Sequence, residues 1–296
     1  MTKIYPNLFI VGAPKCGTTA WVKYLSSHQD IFFPDEKEPH YFNKDLPGFQ
    51  WSKTLEDYLE VFSKSANEKV IGEASVQYLY SKDAASEIYK YNPNAKIVIF
   101  LRNQDTFLPS YHQQLIYNQD QTISDFDKAW TESKDFQLSK VSKTCREPKL
   151  LDYRSVGTFS EQVQRYTDLF PRENIKVIRF EAWVRESRET YLSLMDFLDL
   201  EDDGRTSFLP VNEAKQHRFG RLAKITQRPP AWMLSMSTII KKILGRENLG
   251  LASRLRDMNH VKGYAGTTAD AVKSDIIEYF KADNVKLSNI LADFDG

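Results

Sequence analysis

"LFIVGAPKCGTTAWVKYL", residues 8–25, decides the fold. Four apolar residues run into a Gly-rich turn, and the turn runs into a segment with Trp21, Tyr24 and Leu25 at helical spacing. This predicts a buried strand over 4–12, a tight turn, and a helix over 18–28 opening at Thr18. Gly12, Gly17 and Thr19 stand at the G-x-x-x-x-G-K-[ST] spacing of a phosphate-binding loop. The residue after Gly17 is Thr18, however, and the lysine has moved inside the loop to Lys15. In such a turn successive backbone N–H groups face an anion. The helix that follows adds roughly half a positive charge at its start. The bland alternative, a generic strand–turn–helix junction, does not account for Pro14-Lys15, Gly17 and two threonines falling together.

Working outward, the chain alternates strand and helix patterns. Short apolar strands are expected over 30–34, 69–75, 95–103 and 174–182. Helices are expected over 54–63, 81–93 (started by Ser81), 105–119, 122–136, 158–171 and 185–200, with two short ones over 269–291. Strands alternating with helices predict an α/β fold: a P-loop-like central parallel β-sheet flanked by helices on both faces. No internal repeat or low-complexity linker interrupts the 296 residues, so one domain over 1–296 is expected. Within it, "RPPAWMLSMSTIIKKILGR" reads as an amphipathic helix inside 221–256, either core packing or a helical lid or insertion.

Composition narrows the function. Lys+Arg and Asp+Glu are both 40, so net charge gives no general attraction to nucleic acid or to a membrane surface, and any anion site must be built locally. Cys16 and Cys145 lie far apart and read as free thiols. The first strand begins almost at Met1, and no run of about 18 apolar residues occurs. The expectation is a cytoplasmic protein without stable membrane insertion. Oligomeric state is not legible.

The displaced lysine separates the ligand classes. Nucleoside-triphosphate sites place lysine after the second glycine and use an acidic strand end to help hold Mg²⁺. Here the most convincing strand, "AKIVIFLRN", ends in Arg102. The sequence therefore predicts an anion cradle without a metal site, suited to a nucleotide with fewer phosphates in line and another phosphate elsewhere.

These residues resemble a known family. "APKCGTT", residues 13–19, is similar to the 5′-phosphosulfate loop of sulfotransferases that use 3′-phosphoadenosine 5′-phosphosulfate (PAPS). "LRNQDTFLPSYH", residues 101–112, resembles the family's second element, in which a strand-ending Arg and a Ser eight residues later hold the 3′-phosphate. "KEPHYF", residues 37–42, resembles a loop of the carbohydrate (glycosaminoglycan) branch and its bacterial relatives, whose acidic residue is the proposed base. Likeness is strong over 4–120 and weaker through "NIKVIRFEAW" and "YFKADNVKLSNIL". The resemblance implies in-line transfer of a sulfuryl group from PAPS to a hydroxyl, on a glycan or glycoconjugate, with 3′,5′-adenosine bisphosphate (PAP) leaving.

The implied roles follow residue by residue. Lys15 would meet charge developing on the leaving oxygen. Lys15, Cys16, Gly17, Thr18 and Thr19 would form the 5′-phosphate cradle, and Arg102 and Ser110 the 3′-phosphate site. Lys262 and Gly263, in "HVKGYAG", resemble a late loop that closes over the nucleotide. Arg218 is a weaker candidate. Glu38 is the expected general base, with His40 as competing base or partner. Glu73 either shapes the acceptor pocket or caps a strand end. The usual proline after Arg-Asn is Gln104, and the lysine that follows the Glu73 equivalent in some relatives is Ala74. Acceptor identity is thus not carried over. Two other classes remain: a P-loop small-metabolite kinase using ATP and Mg²⁺, and a non-catalytic nucleotide-binding module. Retention of both Lys15 and Glu38 argues against the module.

Overall fold

The computed structural model describes residues 6–35, 38–209, 215–217, 260–262 and 268–292. Five strands form one parallel sheet: β1 Leu8–Gly12, β2 Ile31–Phe32, β3 Val70–Ala74, β4 Lys96–Leu101 and β5 Ile175–Arg179, in the order β2-β3-β1-β4-β5. Register is fixed by pairs such as Phe9↔Glu73, Ile10↔Val98 and Phe100↔Ile178. Leu8 to Val11 and Ile97 to Leu101 are fully or almost fully buried, because a parallel sheet with covered faces exposes neither side of its central strands.

Helices surround the sheet: α1 Thr18–Leu25, α2 Leu55–Glu60, α3 Ala84–Tyr91, α4 Gln104–Tyr117, α5 Phe126–Glu132, α6 Tyr153–Gly157, α7 Phe159–Thr167, α8 Phe180–Arg185, α9 Ser187–Phe197 and α10 Asp270–Ala292. Trp21 of α1 stacks on Phe100 of β4 and on Tyr191 of α9, fastening those helices to the sheet. A second aromatic group centres on Phe42, whose ring meets Phe9 of β1 as well as Tyr58, Tyr78 and Tyr91. Two further short strands, β6 Lys215–His217 and β7 His260–Lys262, pair antiparallel apart from the main sheet.

Several sequence expectations need correction. The segment 122–136 is not helical from its start. Gln119, at φ 61°, ends α4, and α5 begins only at Phe126, where the Asp125 carboxylate accepts from the Lys128 N–H at 2.7 Å. The strand expected over 174–182 stops at Arg179, and Phe180 starts α8. Residues 270–292 form one helix, not two. Asp283 and Asn284, a turn-like pair in sequence, spend their side chains on other elements: Asp283 accepts from the Phe159 and Ser160 N–H groups at the start of α7, and Asn284 pairs with Gln104. Ser81 does cap the next helix, but from outside it. Its Oγ accepts from the Asp83 and Ala84 N–H groups, and α3 opens at Ala84. The amphipathic segment 221–256 lies outside the described residues, as do Arg218 and Gly263.

Candidate active site

Parallel strands deliver their carboxyl ends to one edge, and the loops there form the site. The loop after β1 turns on two left-handed residues, Lys15 at φ 62° and Gly17 at φ 86°. A side chain on Gly17 would collide with the Trp183 ring, so glycine is required for packing as well as for conformation. The Trp183 indole N–H also donates to the Cys16 carbonyl at 3.3 Å, which pins the loop from α8. Cys16 is buried, and burial pushes its thiol pKa up, so its side chain is a neutral packing group. Thr18 and Thr19 open α1, with Thr18 buried.

Arg102 follows the last residue of β4 and reaches this loop. It donates to the Lys15 carbonyl at 3.3 Å and to Thr106 Oγ1 at 3.1 Å, and its guanidinium lies 4.4 Å from the centre of the Phe180 ring. Lys15 Nζ in turn donates to Gln114 Oε1 at 3.4 Å. Thr106, Ser110 and Gln114 are four residues apart on α4, hence on one helix face. Ser110 therefore stands between the residue that receives Arg102 and the residue that receives Lys15. Gln114 is itself held by its amide donating to Asn118 Oδ1 at 3.0 Å, one turn further along the same stripe. Burial and then the neighbouring Arg102 charge lower the Lys15 pKa, and burial lowers that of Arg102. Two part-buried cations thus sit side by side, and the hydrogen bonds they make go to neutral oxygens.

A second cluster lies at the ends of β2 and β3. Glu38 and His40 are both left-handed, at φ 66° and 49°, a backbone that costs of order 1–3 kcal/mol per non-glycine residue. His40 is fully buried, with Nε2 3.4 Å from Glu38 Oε2, while the Glu38 side chain remains 31% exposed. His40 Nδ1 has no partner among the described residues. Behind the loop, the His40 N–H donates to Ser75 Oγ at 3.0 Å, and the Tyr41 and Phe42 N–H groups donate to the Tyr78 hydroxyl at 2.9 and 3.3 Å. Ser75 donates to Glu73, and the Tyr58 hydroxyl donates to Glu73 Oε2 at 3.1 Å. Glu73 is wholly buried. Burial pushes its pKa up to about 8 against the pull of the Ser75, Tyr58 and Tyr78 hydroxyls, and the nearby Glu38 charge adds to the rise.

The end of β1 and the segment that follows β3 touch. The Leu79 N–H donates to the Val11 carbonyl at 2.7 Å, and a Cβ on Gly12 would stand 2.5 Å from the Val76 carbonyl oxygen. The structure thus brings Lys15, Gly17 and Arg102 together, places Ser110 on the adjoining helix face, and gathers Glu38, His40 and Glu73. Lys262 lies on β7. Residues missed from sequence are Gln114, Trp183 and Glu181, whose carboxylate accepts from the Asn103 N–H at 3.0 Å beside Arg102. The available signals were the four-residue step from Ser110 to Gln114 and the position of Glu181 and Trp183 just beyond a strand end.

A family model described as a sulfotransferase domain matches residues 5–215. The chain belongs to the sulfotransferase domain family. It is 23% identical over 280 residues to the membrane-associated sulfotransferase kil1 of Dictyostelium discoideum, covering 70% of this chain and 59% of that protein. It is 23% identical over 311 residues to carbohydrate sulfotransferase 15 of Mus musculus, covering 85% of this chain and 54% of that protein. The chain thus spans little more than half the length of these relatives. A sulfotransferase from Alicyclobacillus acidocaldarius shares the fold with a TM-score of 0.62 at 28% identity, covering 86% of this chain and 99% of that one.

Family membership corrects the expected cytoplasmic location. One of these sulfotransferases is membrane-associated by name, so neutral charge and the lack of a long apolar run do not assign a compartment. Among the described residues no helix is long and apolar enough to cross a membrane.

Proposed function

We propose that this sulfotransferase moves the sulfuryl group of PAPS to a hydroxyl of a carbohydrate acceptor, releasing PAP. The observation that carries the reading is the Lys15–Arg102 pair. Two adjacent, desolvated cations with neutral hydrogen-bond partners call for an anion between them. A nucleotide with phosphates at two positions supplies one at the turn before α1 and one beside Arg102 and Ser110. The residues fit that ligand. The loop amides and the start of α1 face a 5′-phosphate, and the Arg102 fork together with the Ser110 hydroxyl suits a 3′-phosphate. Lys262 and Gly263 are assigned to the same nucleotide on the resemblance alone.

The chemistry then divides between the two clusters. In the transfer, the acceptor oxygen bonds to sulfur as the bond from sulfur to the phosphate oxygen breaks. Glu38 takes the acceptor's proton. It is the partly exposed member of its pair, whereas buried His40 lies behind it and orients the carboxylate. Lys15 meets the charge that grows on the leaving oxygen. Membership of the sulfotransferase family disfavours the kinase alternative.

Isothermal titration calorimetry of the purified chain with PAP, 5′-AMP and Mg-ATP tests the donor reading. PAP is expected to bind at least tenfold more tightly than 5′-AMP, with no need for Mg²⁺. A preference for Mg-ATP over PAP overturns the reading. Incubation of a glycan panel with ³⁵S-labelled PAPS tests the acceptor class, and label appearing only on non-carbohydrate alcohols would reject it.

A further inference from the structure

The loop that carries Glu38 and His40 does not hold its own shape. Both residues have left-handed backbones, and Pro39 between them has no N–H to donate. The next three N–H groups, of His40, Tyr41 and Phe42, all donate to side chains that lie about 35 residues later, beyond the end of β3. Their acceptors are hydroxyls. A buried hydroxyl that accepts from an amide must still place its own proton, and leaving that proton unpaired in the interior is costly. Ser75 places its proton on Glu73 Oε1, and the Tyr78 hydroxyl lies beside the same Ser75–Glu73 pair. Tyr58, reaching in from α2, takes Oε2. Glu73, Ser75, Tyr58 and Tyr78 are all fully buried, so no water replaces a lost partner.

We propose that Glu73 is a positioning residue for the transfer reaction: its carboxyl group accepts from Ser75 and Tyr58 beside the Tyr78 hydroxyl, and so fixes the hydroxyls that hold the His40, Tyr41 and Phe42 amides and aim Glu38 at the acceptor hydroxyl. The inference rests on the reading of Glu38 as base. Glu73 is wholly buried, and in this proposed role it has no proton to move in the reaction. It converts a strained loop into a fixed one.

The test measures loop order and turnover separately. Hydrogen–deuterium exchange followed by mass spectrometry reads the peptide containing residues 38–43 in the wild type and in Glu73→Leu, Glu73→Gln and Ser75→Ala. In Glu73→Leu, exchange of the amides at 40–42 is expected to rise at least tenfold, while the peptide spanning 13–19 and the affinity for PAP stay at wild-type values. Glu73→Gln retains one oxygen acceptor and should fall between Leu and wild type. Ser75→Ala should free the His40 amide alone. With a glycan acceptor found by ³⁵S labelling, kcat is expected to fall at least tenfold in Glu73→Leu with KM for PAPS unchanged, and Glu73→Gln should restore part of it. Exchange at 40–42 unchanged in any folded variant that binds PAP overturns the proposal. If Glu73→Leu does not fold, Glu73→Gln and Ser75→Ala carry the same decision. If Glu38→Gln stays fully active while Glu73→Leu loosens the loop, the base assignment fails and the anchoring stands.

Discussion

The two halves of the site are built from different materials. The donor half joins backbone to charge: a left-handed turn, the start of α1, and two cations that come to it from the end of β4 and from within the turn itself. The base half is made of side chains. Its loop is held in place by Ser75, Tyr78, Tyr58 and Glu73, far away in sequence and all buried. A backbone cradle tolerates substitution of most side chains that touch it. A buried polar network fails when one member is lost, because the remaining members are left unsatisfied in a low-dielectric interior. Mutations in the two halves should therefore read out differently, in nucleotide affinity on one side and in turnover on the other.

The sharpest contrast is Glu38→Gln. Removal of the proposed base should lower kcat by about 10²–10⁴-fold, while PAP binding measured by calorimetry stays unchanged. Full activity in that variant would transfer the role to another group and dissolve the distinction between the halves. Lys15→Met comes next, at about 10²–10³-fold in kcat. The proposed role at the leaving oxygen requires that fall in kcat; a loss confined to PAP affinity would mean that Lys15 acts only as a phosphate ligand.

The difference between the halves also explains what was legible in the sequence. The donor turn depends on local features: a strand run, two glycines and a helix start within 18 residues. Arg102 was legible because it ends the most strongly patterned strand. The base loop could be located, since Glu38 and His40 flank a proline, but its support could not. Nothing in the order Glu73, Ser75, Tyr78 says that their side chains converge on amides some 35 positions earlier; that follows only from the pairing of β2 with β3 and of β3 with β1. Gln114 escaped for a related reason. A glutamine in a helix reads as surface until the loop carrying Lys15 is folded against it. The fold was legible for the same reason as the donor half, because parallel strands announce themselves as unbroken apolar runs. The errors fell at helix ends and breaks set by tertiary partners, as at Asp283 and Gln119.

The base half should also carry a pH signature in stability. Burial raises the Glu73 pKa in the folded protein to about 8, above its unfolded value. The folded state therefore binds this proton more tightly than the unfolded chain. The associated stability is complete below the unfolded carboxylate pKa and is lost as pH rises toward 8, by a few kcal/mol at most. Thermal melts of wild type and Glu73→Gln should show the wild-type Tm falling relative to the variant between about pH 5 and 8. Parallel curves would mean that Glu73 does not titrate in that window. On the donor side, Arg102→Ala should weaken PAP by about 10–100-fold, as expected for loss of charge-assisted hydrogen bonds, and 5′-AMP much less. Equal weakening of both nucleotides would remove Arg102 from the 3′-phosphate.

The smallest expected effect lies at Gln114, a neutral side chain in the donor half. Its amide oxygen receives Lys15 and its amide nitrogen is fixed by Asn118, so the ammonium has a defined resting place on α4. A neutral acceptor holds a lysine more weakly than a carboxylate would, as the proposed move of the ammonium to a phosphate oxygen requires. Gln114→Leu should change kcat by only about threefold to tenfold, the size expected for one neutral hydrogen bond, with PAP affinity within about twofold. Gln114→Glu should do more harm than Leu, because a carboxylate would pair with Lys15 and repel the incoming phosphates. If Glu proves harmless, Lys15 does not rest on Gln114 in solution, and the donor half is backbone and cations alone.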